Sequence, residues 1–196
     1  MDSISLLVLC LTVVAVPAMA QQRIMYENGP VNGQVNARLI NYGNAVTDSF
    51  QNPGLLLFSG FSFYVWLFPG DNISQFDVSI GSIPYGSDLY HSTVYGSGQG
   101  NCFTNRFGYY VCLVSFDVFV NVSGKAWLTL QNVSVPSGNP VYWDQNSGVG
   151  CMSQGCPSKA TEKGYGTPPT ASIPSEAFAI YGIMIADSTS KTDPSH

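Results

Sequence analysis

The chain has 196 residues, with seven Lys or Arg against twelve Asp or Glu and a formal net charge of −5. Only 10% of residues are charged, and no basic stripe is present, so nucleic acid is excluded as an expected partner. No Lys/Arg cluster flanks an apolar segment, which argues against an anionic lipid surface and a membrane anchor.

The N-terminus reads as an export signal. Leu6 to Val16 is an apolar run too short to span a bilayer comfortably. Pro17 and the small-x-small triplet Ala18-Met19-Ala20 then supply a cleavage pattern, making Gln21 the expected mature N-terminus. The region before the run departs from the usual signal in having Asp2 and no Lys or Arg. The expected organisation is a signal peptide over 1–20, one domain over 21–187 and a disordered polar tail over 188–196. The roughly 176 residues left after cleavage suffice for one core.

No long amphipathic helix is legible. Short apolar blocks alternate with Gly, Asn, Pro and Ser clusters, the signature of strands and turns. Ala37–Ile40 and Ala45–Phe50 read as early strands. "FSFYVWLF", Phe61 to Phe68, sets Phe61, Phe63, Val65 and Leu67 on one face and Ser62, Tyr64, Trp66 and Phe68 on the other. Both faces are largely apolar, which predicts a central strand covered on both sides. Pro69-Gly70-Asp71-Asn72 is turn chemistry. Strands follow at Phe76–Ile80 and Tyr90–Tyr95.

"CFTNRFGYYVC", Cys102 to Cys112, predicts a hairpin with its turn near Asn105–Gly108. Leu113–Val122 places Phe116, Val118, Val120 and Val122 on one face. Ser123-Gly124-Lys125 reads as a turn into Ala126–Asn132. A long irregular stretch runs from Val133 to Pro174, and Glu176–Ala186 is the last strand. Strands this short and this regularly punctuated predict an all-β, antiparallel β-sandwich, jelly-roll-like, with a long disulfide-pinned loop. Pairing of the first and last strands at one edge is expected.

With Cys10 in the signal, four of the five cysteines remain. An even count in an exported chain reads as disulfides. Of the three pairings four cysteines allow, sequence proximity favours Cys102–Cys112 and Cys151–Cys156.

Taken in order, "YENGPVNGQVNARLINYGNAVTDSF", "FSFYVWLFPGD", "AWLTLQNVSVPSGNPVYWDQNSG" and "IPSEAFAIYG" resemble a family of exported bacterial PEP-CTERM-associated β-sandwich proteins. The resemblance spans nearly the whole expected mature chain. It implies an extracellular domain associated with biofilm and exopolysaccharide systems, and it carries over no catalytic residues. The sorting tail is missing, because the chain stops at "STSKTDPSH". Free secretion is therefore the expectation.

The chemistry is sparse. Only His91 and His196 are present, and no G-x-S-x-G elbow occurs. His91 lies near Asp88 and Ser92, but a strand-edge histidine is the simpler reading. Glu27, Asp71, Asp88, Asp117, Asp144 and Glu176 could supply a glycosidase pair, yet no two are placed suggestively. The expectation is no enzyme and no catalytic residue. Zinc would need clustered Cys and His, and the cysteines are better used as disulfides. For calcium, "GDNIS" and "DQNSG" offer Asp71, Asp144 and Asn146 as weak candidates. Asx-turn chemistry explains both motifs without a cofactor.

The strongest binding candidate is Tyr142-Trp143-Asp144 with Asn146. An aromatic platform beside hydrogen-bonding groups suits a sugar, whose apolar ring face stacks while its hydroxyls bond. The competing reading places Trp143 in the core, beneath a loop pinned by Cys151–Cys156. The functional expectation is a secreted, non-enzymatic structural, matrix or surface-assembly protein, able to self-associate. A carbohydrate-binding module on the Trp143 loop is the alternative. The expected partners are a second copy or extracellular polysaccharide.

Overall fold

A computed structural model describes residues 23–96, 98–170 and 172–184. The expected signal peptide and polar tail lie outside the described residues. Among those described there is no helix. The chain forms strands β1 (Arg23–Glu27), β2 (Asn36–Leu39), β3 (Ala45–Leu67), β4 (Gln75–Gly81) and β5 (Tyr90–Tyr95). These are followed by β6 (Gly98–Thr104), β7 (Tyr110–Ser134), β8 (Tyr142–Gln145), β9 (Ala160–Lys163) and β10 (Phe178–Met184). All pairings are antiparallel, as expected, and the strands join in one continuous sheet with the path β1-β10-β3-β7-β4-β5.

Two long strands organise everything else. The expected strand Ala45–Phe50 and all but the last residue of Phe61–Phe68 are parts of β3, which runs for 23 residues. Leu113–Val122 and Ala126–Asn132 are likewise parts of β7, of 25 residues. The turn chemistry between them does not reverse the chain, and this corrects the reading of Ser123-Gly124-Lys125 as a turn. Asn52 pairs with Gly124, and the register shifts between Asn52 and Leu55. A shift of this kind bends a ribbon and increases its twist. Gly124, at φ 72°, takes the left-handed conformation at little cost. The Asn52 amide donates to Gly54 O at 2.7 Å and Val122 O at 3.2 Å, clamping the bend.

The bend divides the ribbon into two halves with different neighbours. The half from Ala45 to Asn52 carries β9 on the β3 side, and β4 then β5 on the β7 side. The other half carries β10 and β1, meets β8 at its end, and has β6 on the β7 side. The first and last described strands therefore do pair at an edge. Curling brings the inward faces together, with Phe50–Phe58 at 5.4 Å and Phe63–Phe76 at 5.5 Å between ring centroids.

The expected inward face of "FSFYVWLF" is fully buried: Phe61, Phe63, Val65 and Leu67. Each such side chain contributes about 1.5–3 kcal/mol through burial. On the outward face, Ser62 and Trp66 are also covered, Tyr64 half so, and Phe68 is at the surface. The cover over Val111 includes the segment around Gly33, which packs closely against Phe103 and Val111.

Both disulfides have the expected pairing, Cys102–Cys112 and Cys151–Cys156. They suit an oxidising, non-cytoplasmic compartment. Among the described residues, no helix is long and apolar enough to cross a membrane.

Candidate functional site

The stretch expected to be irregular, Val133 to Pro174, contains two short strands, β8 and β9, and β8 carries the expected ligand residues Tyr142, Trp143 and Asp144. Its partners are β2, through Arg38↔Trp143 and Leu39↔Tyr142, and the end of β3, through Val65↔Trp143 and Trp66↔Tyr142. Trp143 is fully buried between Phe63 and Phe178, and its indole N–H donates to Ala177 O at 3.0 Å. A buried Trp needs such an acceptor for its one polar atom. The core reading of Trp143 holds, and the ligand-facing reading is corrected.

Asp144 and Asn146 are buried as well. Asp144 Oδ2 accepts from Asn32 N at 2.8 Å, while Oδ1 accepts from Gly33 N and the Trp66 indole N–H, each at 2.7 Å. Burial raises the Asp144 pKa, and these three bonds pull it back down. Three N–H groups aimed at a carboxylate repel a cation, so Asp144 is corrected as a calcium candidate. Asn146 donates to Asn28 O at 2.6 Å and Pro30 O at 3.1 Å and accepts from Gly148 N at 2.8 Å. It ties two segments together and offers no free group to a metal or ligand. Asp71 is partly buried and accepts from the Asn139 amide at 2.9 Å. Among the described residues, no three or more His, Cys, Asp or Glu gather as a metal site.

Tyr142 alone of the four expected ligand residues reaches an open groove, of about 300 Å³. Val35, Asn36 and Ala37 line the groove together with Trp66, Phe107, Tyr109 and Tyr142. The aromatic rings form a chain of contacts, with centroids 5.7 Å apart for Trp66–Phe107 and 5.8 Å for both Trp66–Tyr109 and Tyr109–Tyr142. Phe107 is 51% exposed, a large apolar ring held at the surface.

The local sequence explains why these rings stay in place. Asn105 Oδ1 accepts from Phe107 N and Tyr109 N, each at 3.0 Å, which is the Asx-turn chemistry of a tight turn. Cys102 and Cys112 sit directly opposite each other below that turn. Trp66 is oriented by Asp144, so the buried acid of the expected binding loop acts on the groove from beneath. The Arg106 guanidinium rests 4.7 Å over the Phe107 ring. No charged side chain lines the groove.

The acids do not assemble around this groove. Glu27, Asp88 and Asp117 are exposed, as is His91 on β5. Glu176 is fully buried, and so is Asp48, which the sequence reading passed over. The Glu176 backbone N–H donates to Asp48 Oδ2 at 2.7 Å. Burial pushes the Asp48 carboxyl up to about 7, against the opposing pull of the nearby Ser158 hydroxyl, the Glu176 and Ser49 backbone N–H groups and Lys125. Glu176 lies well above the usual carboxyl range, through burial first and the Asp48 charge second, with Arg38 opposing. A hydrolytic pair must flank its substrate, and these two acids lie in the interior. Trp66 was legible as an outward residue and Tyr109 as a hairpin aromatic. Their meeting with Tyr142 was not.

No protein-family model matches the chain, and neither a curated protein nor a solved structure matches it.

Proposed function

We propose that this chain is an exported, non-enzymatic extracellular protein that binds carbohydrate through the groove of Trp66, Phe107, Tyr109 and Tyr142. The observation that carries the reading is a groove lined by four aromatic rings, with Phe107 exposed, Tyr109 and Tyr142 half-buried and Trp66 at its base, and with Phe107 and Tyr109 carried by a disulfide-braced hairpin. Sugars present apolar ring faces to such surfaces, and a ligand site needs only a few polar groups beside them. Asn36 and the two tyrosine hydroxyls supply these. Two disulfides and the signal-like leader support an extracellular setting, where polysaccharide is the abundant partner.

The test is a glycan-array assay on the mature protein, with Phe107→Ala and Tyr109→Ala beside the wild type. The expected result is glycan binding that both substitutions weaken while thermal melts stay unchanged. Absence of glycan binding by folded wild type would sink the proposal.

A second reading, self-assembly into a surface or matrix layer, has one observation of its own. Among the described residues, strand β5 pairs only with β4, and it ends in Tyr95, 76% exposed. An open edge of this kind can add strands from another copy. Concentration-dependent association that Tyr95→Lys abolishes would favour it. A monomer at all concentrations would dismiss it.

A further inference from the structure

The aromatic groove lies along a pair of segments that continue past it. Residues 36–39 are zipped to 142–145 by the β2–β8 ladder. Beyond the ladder, Ile40 N donates to Val141 O at 3.0 Å and the Asn41 amide donates to Asn139 O at 2.9 Å. The same two segments then wall a second groove of about 340 Å³, at Asn41–Gly43 on one side and Gly138–Asn139 on the other, floored by residues 132–135. Three residues lie between the linings on one wall, from Ala37 to Asn41, and two on the other, from Asn139 to Tyr142.

Tyr42 stands at the junction. It is 58% exposed, and its hydroxyl donates to Gly138 O across the second groove. Tyr142 belongs to the first groove and senses both neighbours. Burial raises its pKa, and the nearby Tyr109 and Tyr42 hydroxyls raise it further. The second groove is polar where the first is aromatic. Its side-chain amides are already fixed: Asn132 donates to Asp77 at 2.7 Å and Asn139 to Asp71 at 2.9 Å. Neither carboxylate lines the groove, and no other charged side chain does. Pinned amides lose little freedom on binding.

We propose that the two grooves form one extended site for a linear, uncharged oligosaccharide, with sugar rings on the aromatic part and hydroxyls on the amides around Tyr42. The proposal rests on the carbohydrate reading of the first groove and adds length and charge selectivity to it. Arg106 over Phe107 is a cation beside the first groove, whereas the Asp77 and Asp71 carboxylates stand behind the amides lining the second, so an acidic glycan along both meets two carboxylates against one guanidinium.

The test is calorimetric titration with cello-, manno- and chito-oligosaccharides of two to six units, with polygalacturonate as the acidic arm. Wild-type affinity should rise with length by about tenfold, the size expected for one added aromatic contact. Tyr42→Ala should remove that rise and leave disaccharide affinity unchanged, whereas Phe107→Ala should weaken every length. Amide shifts at Tyr42 and Gly138 on adding a hexasaccharide to wild type give a readout independent of how the variants fold. Length-independent binding, or a full rise retained in Tyr42→Ala, would overturn the extended site and leave the first groove standing. Salt-sensitive preference for polygalacturonate would overturn the charge selectivity. No binding of any glycan would remove the carbohydrate reading itself, and the extended site with it.

Discussion

Replacing Asp48 by Asn tests whether the interior holds a proton. Asp48 is wholly buried and faces the backbone N–H of Glu176, with Ser158 and the Ser49 backbone nearby and Lys125 as a more distant cation. Its carboxyl shifts from 3.8 to about 7 in the folded protein. For an acid raised in this way, the folded state binds more protons than the unfolded chain. The stability contribution is complete below the unfolded pKa and disappears as pH rises toward the folded one. At 1.36 kcal/mol per unit, that is on the order of 4 kcal/mol lost between pH 4 and pH 7.

Asn keeps an oxygen to accept the Glu176 N–H and cannot ionise. Asp48→Asn should therefore remove about half of the slope in this window, because Glu176, also raised well above its unfolded value, loses stability across the same window and beyond it. Urea midpoints of wild type and variant at pH 4.5, 6, 7.5 and 9 make the comparison. Parallel curves, or wild-type stability that climbs from pH 4.5 to 7.5, would refute the argument.

Trp143→Ala should cost about 3–5 kcal/mol, because it removes a fully buried ring and leaves Ala177 O without its donor. A drop in urea midpoint at constant slope is the measurement, and a change under 1 kcal/mol would place the indole outside the core. Replacing Cys102 and Cys112 together by Ser should lower stability by about 2–3 kcal/mol. The same double variant should weaken glycan binding through the hairpin that carries Phe107. Unchanged binding in the folded variant would show that the turn holds itself.

Much of the fold was legible because a strand writes itself in alternation. Phe61, Phe63, Val65 and Leu67 announced one face of a strand, and all four are buried. Turn chemistry was read less well. Asn52-Pro53-Gly54 and Ser123-Gly124 have the composition of chain reversals. They fall opposite each other in a paired ribbon, though, and there the same residues bend it. Only the pairing partner distinguishes the two outcomes. Strand β8 escaped notice because it is four residues long and two of them are Asp and Gln.

The binding site was legible in kind and misplaced in position. An aromatic beside polar groups suggested a sugar surface at Trp143, yet the alternation that exposes Tyr142 buries Trp143. The groove takes residues from 35–37, 66, 107–109 and 142, four segments whose meeting is fixed only by tertiary pairing. Asp48 lies in a strand between Thr47 and Ser49, where nothing local reveals that the fold will close over it.

The two ends of the bent ribbon also differ in closure cost. The pair Leu67↔Tyr110 closes a loop half as long as the pair Ala45↔Gln131 at the other end of the same ladder. Doubling a loop adds only about 0.6 kcal/mol to its closure cost, so each further pair forms more easily once its inner neighbour is in place. The Leu67–Tyr110 end is therefore the entropically cheaper end of the ladder to close, by about 0.6 kcal/mol. That end lies two residues from Cys112, where the Cys102 bridge holds β6 against β7. Once the Cys102–Cys112 bridge is oxidised, this end of the long ladder has β6 and β7 already in register as a template for β3.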